Sequence, residues 1–234
     1  MVFRSKAHDL FAMRARGLRL KLTIAIIALL SSIALMIPAK QAKAHPHTWI
    51  DVAVRVVFDS AGKAIGLHEV WLFDELYTAF ALEGLAKKGS QPTQTNIDAL
   101  LRRNMANLAG FSYFTKVKHN GAEVAFRDVT EMSSRLSGNR LKMSFYLSFK
   151  ESIDPREWPL KYAIYDPTYY IEMLHVETDD AIRLADAPTD CTHRLIEPAP
   201  SMENVMLAQA LDRTQTAGDG LGALFAETVE IRCK

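Results

Sequence analysis

The segment Thr48–Phe58 alternates between strongly apolar and less apolar residues, and this pattern constrains the fold more than any other stretch of the chain. The apolar positions are Ile50, Val52, Val54, Val56 and Phe58. Successive side chains of a β-strand point to opposite faces, so the alternation predicts a strand with one buried face. A turn over 59–63 follows, and Ala64–Phe73 is predicted to return as the second strand of a hairpin.

Apolar residues at helical spacing follow this hairpin. Asp74 is a candidate amino-terminal cap for a helix over 74–87, and a break at 89–93 that contains Gly and Pro separates it from a second helix over about 95–108. From Phe111 onward, strand and turn patterns dominate. The strands are predicted at 113–118, 124–132, 141–149, 162–165, 170–176, 191–196 and 224–232, with a weak amphipathic helix over 202–212.

The order of these elements predicts the fold class. The three strands between 113 and 149 are joined by short turns, one of which contains Asn120-Gly121, and they are interpreted as a meander. We therefore expect an α+β fold, a strand-dominated, sandwich-like domain with a helical insertion at about 74–108.

Residues 1–44 have the organisation of a secretory signal peptide. A basic segment up to Lys21 precedes a largely apolar run of 16 residues from Leu22 to Ile37, and Ala42-Lys43-Ala44 offers a small-x-small cleavage site. The run is shorter than the roughly 20 residues that span a bilayer, so cleavage is favoured over an uncleaved membrane anchor. We expect a single periplasmic domain over 45–234, with no stable membrane anchor after cleavage.

Cleavage would change the charge of the chain. The signal segment holds eight of the 28 lysine and arginine residues and one of the 27 acidic residues, so the processed chain of 190 residues carries a net charge of −6. It has no basic stripe, and nucleic acid is therefore not an expected partner.

The chain has two cysteines, Cys191 and Cys233, and they are not in a CxxC pair. In an oxidising compartment, the default for such a pair is one disulfide bond. Two free thiols are the alternative.

Cleavage after Ala44 would make His45 the first residue of the mature protein, with an amine and an imidazole on one residue. Both groups titrate near neutral pH, at about 7.7 and about 6.5, so both can be unprotonated and can bind one metal ion. His47 adds another imidazole nitrogen. A solvated, frayed amino terminus is the alternative interpretation of these two histidines.

Pro46 restricts how such a site can bind metal. A free amine with histidine in third position forms a square-planar copper or nickel site through deprotonated backbone amides, but proline has no amide proton to lose. The remaining amine and imidazole nitrogens suit nickel, cobalt, copper or zinc.

The segment Ala163–Tyr170 combines Asp166 with several tyrosines. It is interpreted either as a turn that covers a sheet edge or as a cover over the amino terminus, in which Asp166 supplies an oxygen ligand. The chain contains no HExxH, GxSxG, Walker or dinucleotide-binding motif, so catalysis is not expected.

Four separated motifs resemble the family called domain of unknown function 1007, and the resemblance covers essentially the whole mature chain. These motifs are His45-Pro46-His47-Thr48-Trp49-Ile50-Asp51, Trp71-Leu72-Phe73-Asp74-Glu75-Leu76-Tyr77-Thr78-Ala79-Phe80, Tyr165-Asp166-Pro167-Thr168-Tyr169-Tyr170 and Glu230-Ile231-Arg232-Cys233. Family members are labelled periplasmic components of an uncharacterised ABC-type transport system and tend to accompany nickel/cobalt permeases.

The resemblance implies a periplasmic metal-binding accessory protein that handles nickel or cobalt for an inner-membrane permease or ABC-type transporter. It favours His45 and His47 as ligands and raises the expectation that Asp166 or Asp74 adds a carboxylate. Whether Asp51, His68 or His175 joins the site stays open.

Two other functions are compatible with the residues. One is a histidine-brace-type copper protein, in which the amine and imidazole of His45 and the imidazole of His47 bind copper. The other is a metal-free interaction module, in which the motifs over 71–80 and 165–170 form an aromatic docking surface for a membrane transporter.

Overall fold

A computed structural model of the protein describes residues 46–85, 90–211, 218 and 220–234. The predicted signal peptide and His45 lie outside the described residues. None of the helices in this part of the chain is long and apolar enough to cross a membrane.

The described residues are rich in strands. In chain order these are β1 (Thr48–Phe58), β2 (Ala64–Phe73), β3 (Thr115–His119), β4 (Ala122–Glu123), β5 (Thr130–Ser137), β6 (Arg140–Ile153), β7 (Leu160–Ile164), β8 (Ile171–His175), β9 (Ile182–Ala185), β10 (Thr192–Ile196) and β11 (Thr228–Arg232). The helices are α1 (Glu75–Leu82), α2 (Gln94–Leu108), α3 (Met202–Ala210) and α4 (Leu221–Leu224), with a 3-10 segment over Ala109–Phe114.

The predicted hairpin of β1 and β2 is confirmed, and it forms the centre of the first sheet. The two strands pair antiparallel, and every predicted inward residue of β1 is buried. The strand order is β5-β6-β2-β1-β8, and β9 also pairs with β1. Both β8 and β9 run parallel to β1, beside its first and second halves respectively.

The second sheet has the strand order β10-β11-β7-β3-β4, and its described pairs are antiparallel. Side chains from both sheets belong to one hydrophobic core, with Leu67 and Phe145 from the first sheet and Leu160 and Ile231 from the second fully buried. Removing this apolar surface from water is the main stabilising contribution to such a fold. The predicted strand-dominated α+β class is therefore confirmed, and two sheets around one core agree with a sandwich-like arrangement.

The predicted meander between 113 and 149 is wrong, because β3 and β4 belong to the second sheet while β5 and β6 belong to the first. The reason lies in the segment between Val124 and Arg127. The amide of Val124 donates to Val117 of β3, whereas the amide of Arg127 donates to Ser148 of β6. The chain thus changes sheets within these residues, and the predicted single strand over 124–132 is interrupted.

Two helices follow β2 in the chain. Helix α1 begins after Asp74 and ends at Leu82, earlier than the predicted residue 87. Helix α2 begins after Thr93, whose hydroxyl accepts from the amide of Asn96 in a capping box. Its buried residues recur at helical spacing and pack against the core: Ile97, Leu100, Leu101 and Met105.

The predicted disulfide bond is confirmed. Cys191 lies just before β10 and Cys233 just after β11, and the first residues of the pairing, Thr192 and Arg232, are direct partners. The bond therefore closes a loop with a sequence separation of 42 residues and fixes the last strand to its neighbour.

The disulfide bond should contribute measurably to stability. Replacing both cysteines by serine is expected to lower the free energy of unfolding by about 2–4 kcal/mol, because the unfolded chain regains the freedom of the closed loop. Urea unfolding with and without reductant measures this change. Reductant should lower the midpoint of the wild type and leave that of the double variant unchanged, and an equal response of both proteins would contradict the prediction.

Candidate functional site

Asp74 fastens the start of β1 to the start of α1. Its backbone amide donates to the carbonyl of Trp49 at 2.9 Å, and its Oδ2 accepts from the amide of Trp49 at 2.9 Å. Its Oδ1 accepts from the amide of Tyr77 at 2.8 Å, which is the hydrogen bond of an amino-terminal helix cap. The predicted capping role of Asp74 is therefore confirmed, and the same carboxylate also holds β1.

Asp166 organises the turn that leads into β8. Its side chain is buried, with an exposed fraction of 5%. Oδ1 accepts from the amide of Thr168 at 2.9 Å, and Oδ2 accepts from the amide of Ile171 at 3.1 Å. A buried carboxylate that accepts from backbone amides fixes the course of the chain around it.

This turn holds the residues that precede β1. The amide of His47 donates to the carbonyl of Tyr170 at 2.9 Å, and the two side-chain rings lie 4.7 Å apart between centroids. Three of the motifs singled out in the sequence, over 45–51, 71–80 and 165–170, thus meet at the start of β1. The structure shows this contact of the turn with His47, whereas the predicted cover over His45, with Asp166 as an oxygen ligand, stays a prediction.

The donor types at this junction suit a borderline transition metal, because it combines imidazole nitrogen with carboxylate oxygen. Within the described ranges, no group of three or more His, Cys, Asp or Glu side chains is placed to hold a metal ion. The assignment of His45, His47, Asp74 and Asp166 as ligands stays a prediction.

Asp51 and His68, whose part in the site the sequence left open, lie beside arginine side chains. Asp51 forms an ion pair with Arg140, with 2.8 Å between Oδ2 and Nη1. His68 lies in β2, directly opposite Arg55, and burial followed by the charge of Arg55 lowers the pKa of its imidazole.

His175 belongs to a buried polar chain that joins the two sheets. Its Nδ1 lies 2.8 Å from Oε2 of Glu227, and its Nε2 lies 3.1 Å from the hydroxyl of Tyr162 on β7. Burial acts to raise the pKa of Glu227, but the hydrogen bonds from the side chain and amide of His175 outweigh it and lower the pKa. With Glu227 ionised, Nδ1–H donates to Glu227, and Nε2 is hydrogen-bonded to the hydroxyl of Tyr162, so both ring nitrogens are occupied.

Glu69 is a fully buried acid on the inner face of β2. Its Oε2 accepts from Nε1 of Trp71 at 2.9 Å, and its Oε1 lies 2.9 Å from the hydroxyl of Thr115. That hydroxyl has one proton and also lies 3.0 Å from the carbonyl of Tyr113, so it can donate to only one of the two oxygens. A protonated Glu69 that donates to Thr115 satisfies every group, and burial raises the pKa of Glu69 to about 8.

Glu230, from the last motif, forms ion pairs with basic side chains of the second sheet. It lies within 3.4 Å of Lys161, Arg194 and Arg232, and hydrogen bonds from Arg232 and then Lys161 lower its pKa to about 2. The motif thus links three strands of the second sheet beside the disulfide bond.

The sequence alone assigned no role to Glu69, Tyr162 or Glu227. Glu69 was detectable in principle, because it stands at an inward position between Leu67 and Trp71 of a predicted strand. An acid in a buried register is unusual and indicates a specific partner or a neutral form. Tyr162 and Glu227 carried no comparable indication, because their partner His175 lies in a different part of the chain.

The anchoring hydrogen bonds predict an order of stability effects. Asp166→Ala is expected to lower the free energy of unfolding by about 2–4 kcal/mol, because it leaves the partly buried amides of Thr168 and Ile171 without their acceptor. Asp74→Ala should cost about 1–2 kcal/mol through loss of the helix cap. The exposed Asp179→Ala is the matched control and should change little. Urea unfolding measures all three, and an Asp166→Ala variant as stable as the control would contradict the anchoring role.

The raised pKa of Glu69 predicts that the free energy of unfolding depends on pH. Its pKa in the folded state, about 8, exceeds the unfolded value of 4.5, so its contribution is fully present below 4.5 and is lost as the pH rises through 8. The loss is about 1.4 kcal/mol per pH unit within this window. Glu69→Gln keeps a neutral hydrogen-bonding group and should gain stability relative to wild type between pH 5 and pH 8.

Urea unfolding at both pH values measures this difference, with the exposed Glu151→Gln as the control. Parallel pH profiles of wild type and Glu69→Gln would show that Glu69 is already ionised in the folded protein and would refute its neutral state.

The family comparison agrees with the resemblance found in the motifs. Residues 30–233 match the family model described as Protein of unknown function (DUF1007). No protein of curated function matches the chain significantly. Because the match spans most of the sequence, the chain belongs to this family.

Proposed function

We propose that this family member is an exported accessory protein that binds a divalent transition metal ion at the start of β1 and exchanges it with an inner-membrane permease or ABC-type transporter. Nickel and cobalt are the favoured ions, and copper and zinc are the alternatives. His45 would contribute its amine and imidazole, His47 a second imidazole, and Asp166 or Asp74 a carboxylate. The protein itself would carry out no catalysis.

The observation that carries this proposal is the position of His47 between two anchored segments. Its amide donates to Tyr170, and Trp49, two residues on, exchanges hydrogen bonds with Asp74. A ligand on a fixed backbone loses less conformational entropy when it binds metal than one on a free terminus. This anchoring argues against the alternative that His47 belongs to a frayed terminus.

The two carboxylates are compatible with either of two roles. In both Asp74 and Asp166, each side-chain oxygen accepts at least one hydrogen bond from the backbone. Each oxygen of an ionised carboxylate has a second lone pair. One oxygen of Asp74 or Asp166 can therefore bind metal while it still accepts the hydrogen bond from the backbone amide. Otherwise the pair acts by orienting the histidines, as outer groups do in many metal sites.

Export to the periplasm supports the same proposal. A disulfide bond between Cys191 and Cys233 is typical of proteins in oxidising compartments. The proposed removal of residues 1–44 would free the amine of His45 in that compartment. Within this account, we also infer that the helices between β2 and β3 are an insertion in a sandwich-like framework.

A second function is favoured by apolar side chains near the junction. Trp49, Leu76 and Phe80 have exposed fractions of 45%, 71% and 73%, and Leu76 and Phe80 are one helical turn apart on α1. We propose this as a docking surface for the membrane transporter. This docking surface would hold the protein on the transporter during metal exchange. If the protein binds no metal, docking on the transporter would be its whole function.

The free amine of His45 gives the sharpest test. We expect the mature protein, which begins at His45, to bind nickel or cobalt at least about tenfold more tightly than a form with one extra alanine before His45, because the extension removes the amine from the site. His47→Ala should weaken binding similarly, and His193→Ala on the exposed strand β10 is the matched control. Titration calorimetry measures the affinities.

Equal affinities of the native and extended proteins would exclude the amine as a ligand. If neither form binds nickel, cobalt, copper or zinc, the metal function is refuted, and transporter binding by a Phe80→Ala variant then tests the docking function. A tetragonal Cu(II) signal in electron paramagnetic resonance, together with preference for copper, would favour the histidine-brace alternative.

A further inference from the structure

An apolar cavity of about 170 Å³ lies between α1, α2 and the inner face of the first sheet. Its floor consists of side chains that are almost fully buried: Ile50, Trp71, Phe73 and Met143. Its sides include Tyr77 of α1, Leu108 of α2 and Phe114. A cavity of about 150 Å³ with such a lining is large enough to bind benzene.

Phe114, at the side of the cavity, ends a turn that has an unusual backbone. Ser112, Tyr113 and Phe114 have φ angles of 53°, 56° and 56°, so three consecutive non-glycine residues adopt the left-handed conformation. The left-handed conformation is less favourable than the right-handed one for residues with a side chain. Strained backbone of this kind concentrates at ligand-binding sites, where the surrounding structure holds it in place.

Hydrogen bonds hold all three carbonyls of this left-handed turn. The amide of Thr115 donates to Ser112, its hydroxyl donates to Tyr113, and the amide of Tyr165 donates to Phe114. The same hydroxyl is the partner of Glu69.

Glu69 also holds the floor of the cavity, through its hydrogen bond with the indole of Trp71. The rings of Trp71 and Phe114 are nearly parallel, with 6.5 Å between centroids. Floor and wall are therefore fixed by one buried group, which makes the cavity preformed.

The cavity also has polar groups near its rim. Tyr77 and Asn104 form a side-chain hydrogen bond, and the exposed Asn107 lies one helical turn further along α2. A preformed apolar pocket with a few polar groups at one end is the usual form of a small-molecule site. The amide of Asn107 can both donate to and accept from a polar substituent on a bound molecule.

We propose that this cavity binds a small organic molecule that consists of a single aromatic ring or a branched aliphatic group of similar size, with one hydrogen-bonding substituent directed toward Asn104 and Asn107. His47, Asp74 and Asp166 do not line this cavity, and the proposal does not depend on the proposed metal function.

The indole proton of Trp71 reports binding directly. Phenol and toluene serve as probes, titrated into the purified nitrogen-15-labelled protein and followed by the nuclear magnetic resonance signals of the three tryptophan indoles. We expect saturable shifts of the Trp71 signal with half-saturation at about 1 mM or below, while the exposed Trp49 and Trp158 stay unchanged.

Leu108→Phe places a ring at the side of the cavity and should weaken phenol binding at least tenfold while the protein stays folded. Leu174→Phe, on the outer face of β8, is the matched control. Absence of a saturable Trp71 shift with both single-ring probes, equal shifts of all three tryptophans, or undiminished binding by a folded Leu108→Phe variant would overturn the proposal.

Discussion

The arrangement of the candidate site depends on the exchange of hydrogen bonds between Asp74 and Trp49. One short residue caps a helix, pairs with the backbone of β1 and thereby fixes the first residues of the strand at the centre of the first sheet. Asp166 performs the corresponding role for the turn that holds His47 through Tyr170. Two carboxylates thus hold the residues just before β1 in the folded domain, and the proposed metal site requires such a fixed position of His47.

A second set of polar groups acts in the interior. Glu69 holds the left-handed turn and the floor of the apolar cavity, while the chain from Glu227 through His175 to Tyr162 joins one sheet to the other. Each buried group is hydrogen-bonded, so the cost of removing it from water is largely offset. The hydrogen bonds of Asp74 and Asp166 therefore support the proposed metal site at the start of β1, and those of Glu69 support the apolar cavity.

Local pattern was sufficient to predict much of this structure. Alternation gave the bounds of β1 and β2, and the capping residue Asp74 gave the start of α1. Pairing partners were harder, because the change of sheet at Val124–Arg127 depends on hydrogen bonds to strands that are distant in the sequence. The same holds for the candidate site. The predicted cleavage site pointed to His47 and the tyrosine-containing segment pointed to Asp166, whereas only the fold brings these segments together.

The most direct measurement of the central claim is X-ray absorption spectroscopy of the nickel-loaded mature protein. Binding by His45, His47 and a carboxylate predicts a coordination shell of nitrogen and oxygen with outer-shell scattering from two imidazoles. The spectrum of His47→Ala should lack the contribution of one imidazole. A shell without imidazole scattering, or an unchanged spectrum in His47→Ala, would contradict metal binding at the start of β1.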